Sequence, residues 1–165
     1  MSKKLKTGII GLGRIGQIHL SNLLYHTPGA EVVIASDVSA TAHEAAKKAG
    51  ISATTSAGEV IVHPEVEAVI ICAPTPQHVP YTIAAAEAKK HIFCEKPLDV
   101  TVADIRSAQK AVADNGVKLM LGFNRRFDPN FLRVRSLVKT GSIGDPHILR
   151  ITSRDPAPPP LEYVK

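Results

Sequence analysis

A glycine-rich hexapeptide, Gly11-Leu12-Gly13-Arg14-Ile15-Gly16, constrains the fold of this chain more than any other feature. Residues 7–10 before it predict a short buried strand, and the amphipathic residues 14–25 predict a helix. Between a strand and a helix, such glycines permit a tight turn, close approach of a phosphate group to the backbone, and close packing of the helix on the strand. The free N–H groups at the helix N-terminus favour an anion. The motif therefore predicts dinucleotide binding, with a purely structural glycine turn as the alternative.

An aspartate, Asp37, follows the second predicted strand at residues 32–35 and lies 21 residues after Gly16. At this distance in such a fold, a carboxylate accepts hydrogen bonds from the ribose hydroxyls of NAD and repels the 2′-phosphate of NADP. We therefore predict NAD as the cofactor. Arg14 keeps NADP open as an alternative, because a guanidinium near the ribose could tolerate a phosphate.

Short apolar runs and longer amphipathic stretches alternate over residues 1–122. The predicted strands are residues 7–10, 32–35, 69–72, 91–94 and 118–121, and the predicted helices are residues 14–25, 40–49, 79–88 and 102–115. The strand segments are continuously apolar, which is typical of strands buried on both faces of a parallel sheet. Strands separated by helices predict βαβ units. We therefore expect an α/β fold, a Rossmann-type doubly wound parallel sheet, as the first domain.

The character of the sequence changes over residues 123–165. Asp128-Pro129 predicts the start of a helix over residues 129–139, and residues 146–153 alternate polar and apolar side chains as a half-solvated strand does. Four of the five residues 156–160 are proline, which cannot continue a sheet. We therefore expect an incomplete start of an α+β substrate domain, with apolar side chains left exposed and prone to aggregate. The expected exposed set is Leu132, Val134, Leu137, Val138, Ile148 and Ile151.

Composition excludes several classes of protein. The 165 residues carry a net charge of +5 and are 44% hydrophobic, as in an ordinary globular chain. Two cysteines are too few for a disulfide framework or a zinc cluster, so we expect free thiols, no metal site and a cytoplasmic location. No apolar run approaches the roughly 20 residues of a membrane span. The lysines are dispersed and tryptophan is absent, so we expect no nucleic-acid partner.

Two further motifs follow predicted strands, at the sheet edge where ligands bind in open α/β folds. The loop after residues 69–72 contains Ala73, Thr75 and His78, and its prolines allow the alternative of a stiff turn with a helix-capping histidine. Glu95-Lys96-Pro97 follows the strand at residues 91–94. We expect Lys96 to be partly desolvated there and able to take a hydroxyl proton or hold a substrate oxygen. The alternative is a solvated Glu–Lys pair, and Pro97 would also allow a cis peptide bond.

These motifs, followed by Gly122-Phe123-Asn124-Arg125-Arg126-Phe127, occur in an order that resembles the glucose-fructose oxidoreductase/inositol dehydrogenase (Gfo/Idh/MocA) family. The resemblance covers the whole chain. The residues from Gly122 onward resemble the bacterial inositol 2-dehydrogenases most closely. It implies that the NAD-binding residues are Gly11, Gly13, Arg14, Ile15, Gly16, Asp37, Ala73, Thr75, His78, Glu95 and Lys96. It also implies that Lys96 is catalytic and that the substrate contacts are Lys96, Asn124, Arg125 and Asp155.

The resemblance implies oxidation of a secondary alcohol on a cyclic polyol, with myo-inositol converted to scyllo-inosose in inositol catabolism. It also implies a homo-oligomer for the full-length protein. Members of the family carry a catalytic Asp-x-x-x-His pair beyond the strand at residues 146–153, and residues 155–165 contain no such pair. We therefore expect an N-terminal fragment that binds NAD with little or no turnover. The alternatives are a non-catalytic NAD-binding module and a family dehydrogenase acting on another sugar or sugar acid.

Overall fold

A computed structural model describes residues 3–154 and residue 157 of the chain. The chain divides after Phe123 into two compact units. The first unit holds a six-stranded parallel sheet flanked by helices, and the second holds one helix and a short 3₁₀ turn.

All six strands of the first unit run parallel, in the order β3-β2-β1-β4-β5-β6. They are β1 Leu5–Ile10, β2 Ala30–Ser36, β3 Ser52–Thr54, β4 Ala68–Ile71, β5 His91–Cys94 and β6 Leu119–Leu121. The chain winds outward from β1 in both directions, so the strand order reverses between β1 and β4. The predicted doubly wound parallel sheet is confirmed, and ligands bind such sheets beside this reversal, at the carboxyl ends of the strands.

Helices connect the strands and cover the sheet. They are α1 Arg14–Tyr25, α2 Glu44–Lys48, α3 Ala57–Val62, α4 His78–Glu87 and α5 Val102–Asn115, with 3₁₀ turns at Ala40–His43 and Thr75–Gln77. The predicted helix over residues 40–49 is therefore shorter, because its first turn is the 3₁₀ turn.

Successive strand residues enter two separate cores. In β1, Ile9 packs with α1 and α2 on one face of the sheet, whereas Ile10 packs with α3, α4 and α5 on the other. In β4, Ile70 and Ile71 divide in the same way. Both faces are thus buried, which explains why these strands are continuously apolar in sequence.

Local capping sets the ends of α5. The Thr101 side chain accepts a hydrogen bond from the Asp104 backbone N–H at 3.3 Å, and Gly116 closes the helix with φ of 65°. The observed helix has the predicted bounds.

Two elements of the first unit have no counterpart in the sequence prediction. The strand β3 has three small or polar residues and pairs only with β2, so it carries no apolar run. The helix α3 has six residues, too few for a helical period to show, although Ser56 caps it by accepting from the Glu59 N–H at 3.3 Å.

In the second unit, α6 covers Pro129–Lys139 as predicted, and Asp128 caps it by accepting from the N–H groups of Asn130 at 2.8 Å and Phe131 at 3.2 Å. The predicted strand over residues 146–153 is wrong, since these residues have no regular secondary structure and Ile148 is 90% exposed. A strand needs a neighbour to complete its ladder, and the described residues supply none. Of the expected exposed set, Leu137 is half-buried and the others are exposed.

Within the described residues, no helix has both the length and the apolar character that crossing a membrane requires.

We predict that the two-sided core dominates the stability of the first unit. Ile71→Ala, at a fully buried position of β4, should lower the free energy of unfolding by about 2–5 kcal/mol, because the lost side chain leaves a cavity. Val100→Ala, at a position 86% exposed, should change it by less than about 0.5 kcal/mol. Urea unfolding measures both, and equal losses would contradict the packing described here.

Candidate functional site

The turn between β1 and α1 requires glycine at two positions. Gly11 has φ of 92°, and a Cβ there would lie 2.7 Å from the carbonyl carbon of Cys72. A Cβ at Gly16 would lie 2.0 Å from the Gly11 carbonyl oxygen. Both glycines therefore allow α1 to start directly against β1 and the end of β4.

Gly13 has a different environment. It is the N-cap of α1 with φ of −64°, which any residue can adopt, and apart from Gly13 itself and its two chain neighbours no atom of the described residues lies within 4 Å of the position of a Cβ. The first turn of α1 has no acidic residue, and Arg14 is exposed there while Ile15 packs into the core. No side chain caps the N-terminus of α1, so its first N–H groups are open to the pyrophosphate of a dinucleotide.

Asp37 holds this turn from the neighbouring strand. Its Oδ2 accepts from the Leu12 N–H at 2.7 Å, and its Oδ1 accepts from the Ser39 N–H at 2.8 Å. The buried ring of His43 donates from Nε2 to the Asp37 carbonyl oxygen at 2.8 Å. The carboxylate predicted to contact the ribose is therefore fixed relative to the phosphate turn.

A cavity of about 330 Å³ lies beside Asp37, within the size range of small-molecule sites. Its wall includes Ser36, Val38, Pro74 and Tyr81. Ser36 is 2% exposed, and its Oγ has no hydrogen-bond partner among the described residues. This orphaned hydroxyl lies buried beside the cavity, and Ser36 is a lining residue that the sequence reasoning missed.

His78 links two loops of the sheet edge. Its ring is 2% exposed, with Nε2 2.7 Å from the Ala73 carbonyl oxygen and Nδ1 2.7 Å from the Pro97 carbonyl oxygen. Thr75 begins the 3₁₀ turn before α4 and is half-buried, as is Ala73. The His78 ring makes no capping bond to α4, so the alternative of a helix-capping histidine is wrong.

Lys96 leaves the carboxyl end of β5 with an exposed side chain, so the expected partial desolvation is wrong for the described structure. The reason is that β5 ends two residues earlier, at Cys94. The Lys96–Pro97 peptide bond is cis. Glu95 is half-buried and its Oε1 lies 2.8 Å from Nε2 of His19, so a solvated pair between Glu95 and Lys96 is also wrong.

His19 is a site residue that the sequence reasoning missed. It stands three residues after Gly16 and therefore shares a face of α1 with it. That spacing was the available signal, but its partner Glu95 lies 76 residues further along the chain.

Two predicted substrate residues lie in the second unit. Asn124 is exposed at the start of the 3₁₀ turn Asn124–Arg126, and the Arg125 guanidinium lies 4.9 Å from the centre of the Phe131 ring. A cavity of about 420 Å³ there is lined by Arg125, Arg126, Phe131, Leu132 and Arg135. The third predicted residue, Asp155, lies outside the described residues. In the part of the chain that the structure describes, no cluster of three or more His, Cys, Asp or Glu side chains could hold a metal ion.

Cys72 and Cys94, at the carboxyl ends of β4 and β5, are both buried and form no disulfide. Burial raises the pKa of the Cys72 thiol to about 12, with Glu95 adding in the same direction. Burial also raises the pKa of Cys94 to about 12. Thiols that stay protonated at neutral pH are poor nucleophiles, so their role here is packing.

Comparison with known proteins decides the family. Residues 5–123 match the family described as "Oxidoreductase family, NAD-binding Rossmann fold", which is Gfo/Idh/MocA. The chain belongs to the Gfo/Idh/MocA family. Its first unit is the NAD-binding Rossmann domain of that family, so the resemblance and the predicted NAD cofactor are both confirmed.

Individual members of the Gfo/Idh/MocA family match nearly the whole chain. Myo-inositol 2-dehydrogenase from Thermotoga maritima is 44% identical over 162 residues, covering 98% of this chain and 48% of that protein. A crystal structure of a "probable dehydrogenase" from Thermotoga maritima is 47% identical with a TM-score of 0.92, covering 97% of this chain and 48% of that one.

The scyllo-inositol dehydrogenase of Lactobacillus casei, solved with bound NAD(H) and scyllo-inositol, is 34% identical with a TM-score of 0.81. The match covers 87% of this chain and 43% of that one. The chain thus spans about half the length of the curated relatives it matches.

The buried thiols give a prediction for this family member. With pKa values of about 12, roughly one thiol in ten thousand is a thiolate at pH 8, so Ellman's reagent should react negligibly with the native chain. After unfolding in guanidinium chloride, both cysteines should react. A rapid reaction of either thiol before unfolding would show that the edge is more open than described.

Proposed function

We propose that this chain supplies the cofactor half of an NAD-dependent dehydrogenase that oxidises a secondary alcohol of a cyclic polyol, converting myo-inositol to scyllo-inosose. One observation carries the proposal: the uncapped N-terminus of α1 and the exposed Lys96 lie at the same edge of the sheet, in a chain 44% identical to a myo-inositol 2-dehydrogenase. Inositol catabolism and a cytoplasmic location belong to the same proposal.

The phosphate turn is proposed to hold NAD through its backbone. Gly11 and Gly16 shape the turn, Gly13 would leave room for the pyrophosphate, and the backbone N–H groups of Arg14 and Ile15, in the first turn of α1, would donate to it. When bound, NAD supplies the acceptor for the hydride that leaves the alcohol carbon. The fixed Asp37 carboxylate supports NAD over NADP, because it repels a 2′-phosphate.

The neighbouring loops are proposed to surround the nicotinamide and the reacting hydroxyl. Ala73, Thr75 and His78 form the loop after β4, and Glu95 anchors the start of the loop after β5. Lys96 would polarise the alcohol hydroxyl or relay its proton, since an exposed ammonium can hold an oxygen at this edge. Asn124, Arg125 and Asp155 are proposed to donate or accept hydrogen bonds with ring hydroxyls.

A second candidate is a non-catalytic NAD-binding module. It is favoured by the extent of the family match, which covers the NAD-binding Rossmann fold at residues 5–123 and ends there. Under either candidate the chain binds NAD, and because it spans about half the length of its curated relatives we propose little or no turnover by the chain alone. The two candidates differ in whether a protein of the relatives' length that contains this chain oxidises a polyol.

We predict a substrate preference for a protein of the relatives' length that contains this chain. With NAD and a panel of myo-inositol, scyllo-inositol, glucose and gluconate, NADH absorbance should give a kcat/KM at least about tenfold higher for myo-inositol, as one differently oriented ring hydroxyl can cost more than 1.4 kcal/mol of transition-state binding. The 165-residue chain alone is the matched control and should form no NADH. Preference for gluconate would favour a sugar-acid dehydrogenase, and NAD binding without turnover on any substrate would favour the module.

We also predict that substitutions at Gly16 and Gly13 have different effects, one mainly on stability and the other mainly on NAD binding. Gly16→Ala should lower the free energy of unfolding by about 3 kcal/mol, because its Cβ meets a backbone carbonyl oxygen. Gly13→Ala should lower it by less than about 1 kcal/mol, because its Cβ enters open space, yet weaken NAD binding at least about tenfold.

Urea unfolding and calorimetric titration with NAD measure these two effects. Unchanged NAD affinity in a folded Gly13→Ala variant would move the phosphate site away from this turn.

A further inference from the structure

A partly buried contact joins the phosphate-turn helix to the loop that carries Lys96. Nε2 of His19, on α1, lies 2.8 Å from Oε1 of Glu95, and the two side chains are 23% and 14% exposed. Because a carboxylate oxygen can only accept, the His19 ring is the donor. Charge-assisted hydrogen bonds shielded from water are among the stronger polar contacts in proteins.

The Glu95 carboxylate has two further close neighbours. Its Oε2 accepts from the Lys96 backbone N–H at 3.1 Å. A Cβ at Gly122 would lie 2.9 to 3.1 Å from the carboxylate atoms, so the chain after β6 approaches the carboxylate closely. Both oxygens are therefore engaged, and the carboxylate has little freedom to rotate.

The His19 ring is itself fixed in direction. It meets the Phe93 ring edge-on, with centroids 5.0 Å apart and planes at 63°. Phe93 belongs to β5, the strand that leads into Glu95 and Lys96. His19 thus touches the strand and the carboxylate that together set where Lys96 leaves the sheet.

We propose that His19 is a positioning residue for Lys96. By holding the Glu95 carboxylate against the Lys96 N–H, it fixes the direction of Lys96 relative to the phosphate turn, which begins the same helix as His19. This role rests on the proposed function of Lys96 at the nicotinamide. It also gives Glu95 a structural purpose within the loop, distinct from direct contact with the cofactor.

The experiment uses the full 165-residue chain and two measurements. Calorimetric titration gives the NAD affinity, and ¹H–¹⁵N NMR follows the Lys96 backbone amide without cofactor. The variants are His19→Ala, which removes the donor, and His19→Gln, whose side-chain amide can donate to the same oxygen. The matched control is His26→Ala, an exposed histidine at the C-cap of the same helix.

His19→Ala should displace the Lys96 amide resonance and weaken NAD binding by about threefold to tenfold, the range expected for a positioning network. His19→Gln should stay within about twofold of the parent chain in affinity and keep the resonance, and His26→Ala should change neither. In a Lys96→Met background, His19→Ala should cause no further loss of affinity, because its effect passes through Lys96.

An unmoved Lys96 amide in folded His19→Ala, or the same affinity loss with and without Lys96, would overturn the proposal and leave His19 a packing residue. If His19→Ala does not fold, Glu95→Gln serves instead, since it keeps the shape, weakens the acceptor and should displace the same resonance. If the parent chain binds no NAD, the proposed function fails, and the amide measurement alone decides the role of His19.

Discussion

The close approach of Gly16 to the Gly11 carbonyl oxygen is the contact on which the rest of the site depends. It lets α1 begin immediately after β1, so the helix N-terminus opens at the carboxyl edge of the sheet instead of beyond it. Asp37 then secures the turn by accepting from the Leu12 N–H at 2.7 Å. The start of α1 also fixes the position of every later residue on the helix. His19 therefore lies next to Glu95, which follows β5 on the other side of β4.

The strand order converts this local turn into a site. Because β1 lies between β2 and β4, the loops after these three strands meet at one edge, and the loop after β5 follows beside β4. His78 ties the last two loops together through the carbonyl oxygens of Ala73 and Pro97, each at 2.7 Å. Loops held by side chains from neighbouring connections keep reactive groups in place more precisely than loops held only at their ends. His78 thus holds the two loops together at this edge, as backbone hydrogen bonds hold neighbouring strands together within the sheet.

The sequence predicted the elements whose signals are local. The bounds of α1, α5 and α6 follow from the glycine motif and from the caps at Thr101 and Asp128, and the observed helices agree. The sequence did not predict β3 and α3, because segments of three and six residues are too short to show a hydrophobic period. The polar–apolar alternation over residues 146–153 predicted a strand that is not observed. Such a pattern forms a strand only where a neighbouring strand or helix buries its apolar face, and the local sequence does not show whether that neighbour is present. His19 and Ser36 could not be predicted as site residues for the same reason. The partner of His19 lies 76 residues away in the sequence, and Ser36 is recognised only by the cavity that it lines.

The hexapeptide combines two constraints of different origin, and only one of them concerns a ligand. Gly11 and Gly16 are required by the folded chain itself, because a Cβ at either position would meet its own backbone. Gly13 is not: its φ of −64° suits any residue, and in the described part of the chain no atom other than those of Gly13 and its two neighbours lies within 4 Å of where a Cβ would be. Glycine is preferred to alanine at an N-cap, so part of the reason for Gly13 is the start of the helix itself. The same position leaves open space beside an uncapped helix N-terminus, where an anion is favoured. Gly13 is therefore the glycine of the motif that serves both the start of α1 and the space that a phosphate would occupy.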